Sequence, residues 1–284
     1  MTIILNLRKV YMTFVVIILI ISGSGIAYNL INAEEIVKLP VLMYHSVLKD
    51  RSKTGKYVIT PESVEEDLIY LSEHGYTSVR ASDVINYTVC GTNLPKKPYL
   101  LTFDDGCYNN LTYILPLLEK YNAYAVISIV GSYSEKYSQS GEANSAYSYL
   151  RWEDVNVLKD SGRVEFANHS YDMHSIGKDR IGSKILKNED ENEYIQKFSE
   201  DCMKTQKLLS DNCNVEPIIY TYPFGAYCEE SHEYLNENGF IMTLSCTEGI
   251  NTLTRDPDCL YLLMRLNRHG NAGSYEFFSK NKIF

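Results

Sequence analysis

Two adjacent acids, Asp104 and Asp105, close an apolar run and are followed at once by Gly106. Four of the six histidines, His45, His169, His174 and His269, also stand just beyond the ends of apolar runs. A carboxylate with two imidazoles can hold a divalent ion such as Zn2+ while leaving positions open for water and substrate. The set that suits this best is one of the two aspartates with His169 and His174. The i, i+5 separation of these histidines does not put both on one face of a helix, so it assigns them to a loop. Each residue also has an ordinary reading. An acid pair at a strand end is a common polar corner, and a single loop histidine more often satisfies a local hydrogen bond. It is the convergence on one edge that argues for chemistry. His74 and His232 fall on predicted helix surfaces and read as solvated.

Something must bring residues so far apart in the chain together. Residues 98–103 are apolar or uncharged throughout and are opened by Pro98, which reads as a strand covered on both faces, as in parallel sheets flanked by helices. Ligands bind at the carboxyl edge of such sheets, where the two acids fall. Successive strand residues point to opposite faces, so both acids can face one cleft only if the strand ends between them, a turn that Gly106 permits. Further strands are expected over 39–43, 77–79, 123–130, 164–167, 217–222, 241–245 and 261–266. Between them lie helical patterns: Thr60-Pro61 caps a helix carrying Val64, Leu68 and Leu71, others begin near Ser82, Leu111 and Trp152, and one spans 194–210. Residues 131–149, rich in Ser, Tyr and Glu with little periodicity, read as a loop insertion. This alternation predicts an α/β fold with a parallel sheet, and some eight strands in this length favour a barrel over an open sheet.

Arg8 and Lys9 precede a charge-free stretch over 10–33, which fits either a secretory signal or a retained membrane anchor. Residues 1–33 are therefore set apart from a single domain over 34–284, expected to lie outside the cytoplasm, secreted or anchored to the outer face of the plasma membrane. The net charge of −9 argues against nucleic acid as a partner. The 24 tyrosines suit a sugar-binding groove and equally an ordinary surface. Seven cysteines, an odd number with no CxxC spacing, leave at least one thiol unpaired and make a cysteine-zinc site improbable.

From residue 39 onward the chain resembles the NodB-homology polysaccharide deacetylases, in a branch similar to exopolysaccharide deacetylases. Thr102-Phe-Asp-Asp-Gly106 resembles that family's first motif, His169-Ser-Tyr-Asp-Met-His174 a longer form of its second, and Tyr222-Pro-Phe-Gly225 its third, which walls the groove. The resemblance implies a distorted (β/α) barrel of about seven to eight parallel strands. It also implies a metal-dependent hydrolase that removes N-acetyl groups from an amino-sugar polysaccharide of the peptidoglycan or poly-N-acetylglucosamine type, acting as a monomer. By the same resemblance Asp104 is the general base, and Asp105, His169 and His174 hold the metal, zinc foremost with cobalt or nickel also fitting. The backbone N–H of Phe224, in the wall formed with Tyr222, steadies the oxyanion. Asp172 reads as a loop residue bonded locally.

The departures are specific. The arginine usual two residues before the third motif's proline is Thr221, and Arg265 from the last strand is the candidate substitute. The fourth motif, an Asp-Trp pair, has no counterpart, and Leu266-Asn-Arg-His269 is one residue longer than the fifth. His269 and His45 are therefore both candidates for the general acid. Two other readings stay open: a wall-binding barrel that has lost catalysis, and a glycosidase with paired carboxylates, for which adjacent acids are poorly placed.

Overall fold

The computed structural model describes residues 36–177 and 180–283. The N-terminal stretch read as a signal or anchor lies outside the described residues. From Val37 onward the chain forms one unit, built on β1 (Val37–Leu39), β2 (Val41–Tyr44), β3 (Ser46–Val47), β4 (Val58–Ile59), β5 (Thr77–Ser78), β6 (Pro98–Phe103), β7 (Ala125–Ile129), β8 (Val164–Asn168), β9 (Ile219–Thr221), β10 (Met242–Leu244), β11 (Asn251–Leu253) and β12 (Leu266–Asn267). Seven of these lie side by side in the order β10-β9-β8-β7-β6-β2-β12, and β5 pairs with the start of β6. All of these pairings are parallel. The two ends of the row approach each other through one short segment. Leu263 bridges to Leu244 of β10, and Leu266 and Asn267 pair with Leu42 and Met43 of β2. The result is a distorted (β/α) barrel, as the motifs imply.

Both faces of the sheet are buried, and the period of two decides which side chain goes where. Leu42, Leu101, Phe103 and Ile127 join the larger core beneath the helices. Their neighbours Val41, Leu100 and Val126 join a second cluster with Ala167, Ile219, Met242 and Leu244 from adjacent strands. Every residue of β6 is buried, and each large apolar side chain so covered contributes about 2 kcal/mol.

Helices fill the crossovers. In α1 (Pro61–Glu73) the Thr60 side chain accepts from Ser63 N, Pro61 occupies the first turn, and Val64, Leu68 and Leu71 are buried. The chain continues through α2 (Ala81–Cys90), α3 (Leu115–Lys120), α4 (Gly131–Ser140), α5 (Trp152–Asp160), α6 (Glu191–Cys213), α7 (Glu229–Glu237) and α8 (Ser274–Lys280).

Two expectations are corrected. Residues 131–140 form helix α4, not a loop. It buries only Gly131 and Ser134, so small residues pack where an apolar stripe was sought. The last strand is not continuous over 261–266, because Leu262 has φ 55° and only Leu263 and then Leu266–Asn267 pair.

Candidate active site

Strand β6 ends at Phe103, and after Asp104 the chain turns sharply: Asp105 has φ 72° and Gly106 φ 67°. Gly106 is favoured here for backbone freedom; a Cβ added to it would meet chiefly the tip of Ile129, at 2.9 Å from Cδ1. Ser170, after β8, and Phe224, after β9, are also left-handed, with φ 70° and 58°. Such conformations cost about 1–3 kcal/mol each in a non-glycine residue; Asp105 and Phe224 line one cleft, and Ser170 follows its His169.

The cleft has a volume of about 530 Å3, and its walls include His45, Asp104, Asp105, His169, His174 and Phe224. Ligand atoms of Asp105, His169 and His174 lie within 4.8 Å of one another. Asp105 Oδ1 is 3.1 Å from His174 Nε2 and 3.6 Å from His169 Nε2, yet this buried oxygen makes no hydrogen bond. His169 Nδ1 is 2.7 Å from the Thr221 carbonyl oxygen. A carbonyl only accepts, so Nδ1 carries a proton, and Nε2 is the ring nitrogen turned toward the carboxylate and able to offer a lone pair to an ion. An orphaned carboxylate oxygen facing two imidazole nitrogens is an arrangement that suits a cation, with Thr221 fixing the ring behind it. The three residues fit a divalent metal.

The loop that carries His174 is pinned from below. Asp201 on α6 accepts from the backbone N–H groups of Tyr171 and Asp172 at 2.8 and 2.7 Å. Asn168 accepts from Ser170 N and donates to Cys202 O. The ring of His174 lies 4.7 Å from that of Phe224 and 4.8 Å from that of His169. The side chain of Asp172 is exposed and stays outside the cluster.

Asp104 points to the other side of the turn. Arg265 donates from Nη1 to Asp104 Oδ1 at 2.7 Å and from Nη2 to Oδ2 at 2.8 Å, and from Nε to Ser245 O at 2.7 Å. Both side chains are buried. Burial alone would raise the Asp104 carboxyl, but Arg265 first and then His169 and His45 outweigh it and hold the pKa below its ordinary value. His45 Nε2 lies 3.9 Å from Asp104 Oδ2. Burial lowers the His45 pKa, and the pull of Asp104 in the opposite direction only partly offsets it. Its ring packs on Tyr57 at 4.7 Å.

Two candidates fall elsewhere. His269 does not line the cleft: its Nδ1 accepts from Asn271 N and its ring meets Phe277 edge-on at 6.1 Å. The cause is its neighbour Arg268, which buries its guanidinium against Asp67 and turns the chain aside. Tyr222 is fully buried behind the wall, its ring against Tyr220 and Tyr227. Phe224 forms the exposed part of that wall. Residues that motif reading passed over also line the cleft, among them Met43, Lys56, Tyr57, Cys246 and Glu248. The Thr221 contact is made by backbone, which carries no residue signal.

The polysaccharide deacetylase family model matches residues 91–243, more than half of the chain. The chain belongs to the polysaccharide deacetylase family. The poly-β-1,6-N-acetyl-D-glucosamine N-deacetylase of Escherichia coli K12 is 24% identical over 74% of this chain, and the chain spans about a third of that relative (34%). Among solved structures, a de-N-acetylase from Aggregatibacter actinomycetemcomitans superposes with a TM-score of 0.74 at 22% identity, covering 86% of this chain and 99% of the other. IcaB from Ammonifex degensii gives 0.69 at 21% identity, covering 87% and 97%. At these identities the structural likeness speaks for the fold, and it agrees with the barrel.

Proposed function

We propose that this polysaccharide deacetylase is a metal-dependent enzyme that removes N-acetyl groups from an amino-sugar polysaccharide, releasing acetate and leaving a free amine. The observation that carries this reading is one cleft holding two separate devices: the three-residue donor set around Asp105, and Asp104 clamped by Arg265. A divalent ion held by Asp105, His169 and His174, zinc foremost with cobalt or nickel as alternatives, would supply Lewis acidity toward the acetamide carbonyl and an acidified water.

The remaining steps belong to the chain itself. Asp104 is kept ionised by the Arg265 fork, so it can take a proton from the attacking water. His45, 3.9 Å from Asp104, is the nearer of the two histidines proposed as general acid, and would hand on to the departing nitrogen the proton that Asp104 takes from the water. The backbone N–H of Phe224 is read as a donor to the oxyanion. The exposed rings of Phe224 and Tyr57 on the cleft walls suit the apolar faces of a sugar.

The name of the Escherichia coli relative makes β-1,6-linked N-acetylglucosamine the first polymer to test, with peptidoglycan second. The apolar stretch over 10–33 supports action outside the cytoplasm, by a chain either secreted or held in the membrane. Acetate release from both polymers, measured with zinc, with a chelator, and after zinc is restored, tests the reading. Release that is abolished by chelation and regained with metal supports it; no release under any of these conditions overturns it. The rival of a non-catalytic binding barrel rests on Thr221 and on the absent fourth motif; the Arg265 fork on Asp104 counts against the first of these.

A further inference from the structure

The end of the barrel opposite the cleft carries a second concave surface of about 380 Å3, lined by Lys38, Lys96, Lys97 and Lys282 around Pro40, Tyr76 and Ile250. Pro40, Tyr76 and Lys97 each immediately precede a strand of the sheet, β2, β5 and β6 respectively. This is therefore the amino edge, and the residues of the cleft stand at the carboxyl edge.

Four lysines at one hollow are unexpected in a chain of net charge −9. Four lysines elsewhere, Lys120, Lys159, Lys197 and Lys207, pair with carboxylates. Lys38, Lys96 and Lys282 are exposed and form no ion pair with a described carboxylate; Lys38 donates only to the Thr252 hydroxyl. Lys97 lies over the Tyr76 ring and donates to His74 O, which adds its charge to the same rim. The like charges of Lys38, Lys96 and Lys282, gathered at one hollow, repel, and the arrangement is relieved by an anion. The apolar stretch over 10–33 ends a few residues before Lys38, so whatever surface receives that stretch lies within reach of this rim.

We propose that the lysine face rests on anionic phospholipid headgroups, so that the mouth of the barrel is turned away from the bilayer and toward the polymer. The inference rests on the reading of the N-terminal stretch as a membrane-entering segment. A juxtamembrane basic cluster gains attraction with each lysine and loses it as salt screens the surface.

The test is co-sedimentation of the full chain with vesicles of phosphatidylcholine alone and with phosphatidylglycerol mixed in. Tighter binding to the anionic vesicles is expected, reversed by salt. The triple variant K38Q/K96Q/K282Q should lose about 100-fold of that added affinity, while its phosphatidylcholine binding and its deacetylation of a soluble oligosaccharide stay at the wild-type level. Equal binding to both vesicles, or an anionic preference that survives the triple substitution, overturns the proposal and leaves the N-terminal reading intact. Binding to neither vesicle overturns both. Lysine-dependent capture of soluble polyphosphate without vesicle binding also overturns it, by naming a different ligand.

Discussion

Arg265 grips Asp104 with both prongs of its guanidinium, at 2.7 and 2.8 Å, and neither side chain is exposed to solvent. The arginine comes from the segment that closes the barrel and the aspartate from the end of β6, so the pair ties that closing segment to the strand that carries the first motif, two positions 161 residues apart in sequence.

Breaking this pair should be expensive. Arg265→Ala leaves a buried carboxylate uncompensated and is expected to destabilise the chain by about 3–5 kcal/mol in urea unfolding. Arg265→Lys keeps the charge but not the fork, so it should recover part of the stability and little of the turnover. Metal content, read by elemental analysis, should stay near the wild-type level in the lysine variant.

The two adjacent acids are expected to separate by assay. Asp104→Asn should retain the metal and lose about 10²–10⁴-fold in acetate release. Asp105→Asn and His169→Ala should lose the metal itself. If Asp104→Asn emerges metal-free with Asp105→Asn still loaded, the division of labour between them is reversed.

The histidine pair gives a second contrast. His45→Ala should lower kcat about 10²-fold with a small change in KM. His269→Ala should leave both within a factor of about two, because substitutions away from the working groups are usually mild. Steady-state kinetics on one soluble oligosaccharide decides the assignment.

Glu189 sets an acid limit on stability. Burial raises its pKa, but hydrogen bonds from Arg180, Leu186 N and Lys197 outweigh this and leave it below the ordinary value. A depressed carboxyl stabilises the fold above its unfolded pKa, and the contribution is lost as pH falls through the folded value. Glu189→Gln should therefore be less stable than wild type at pH 7 by about 1 kcal/mol, with the gap closing at acid pH. Urea midpoints at the two pH values check this.

Thiol labelling should single out one cysteine. Among the seven, which form no disulfide, only Cys90 is exposed. Burial pushes the Cys213 thiol up to about 11, so it stays protonated and slow at pH 8. Mass spectrometry after brief alkylation should find Cys90 labelled first in the native chain, and the buried Cys107, Cys202, Cys213 and Cys228 labelled only after unfolding.

Much of this was written in local pattern. The β6 run, the acid pair with its glycine and the histidines beyond β8 announce a buried parallel strand and a metal-type donor set. What escaped had physical reasons. Helix α4 packs on Gly131 and Ser134, whose small size carries no apolar signature. His269 follows a strand like its fellows, but the Asp67–Arg268 pair diverts it, and that pair forms only across 201 residues. The carbonyl of Thr221 that orients His169 belongs to the backbone, which every residue shares. Tyr57 and Glu248 reach the cleft from connecting segments whose composition does not distinguish them from other loops.

The residues that seal the ring, Leu263 to Asn267, also hold Arg265. Until this stretch docks, Asp104 lacks its counter-charge, so sealing the cylinder and completing this corner of the cleft are one and the same event.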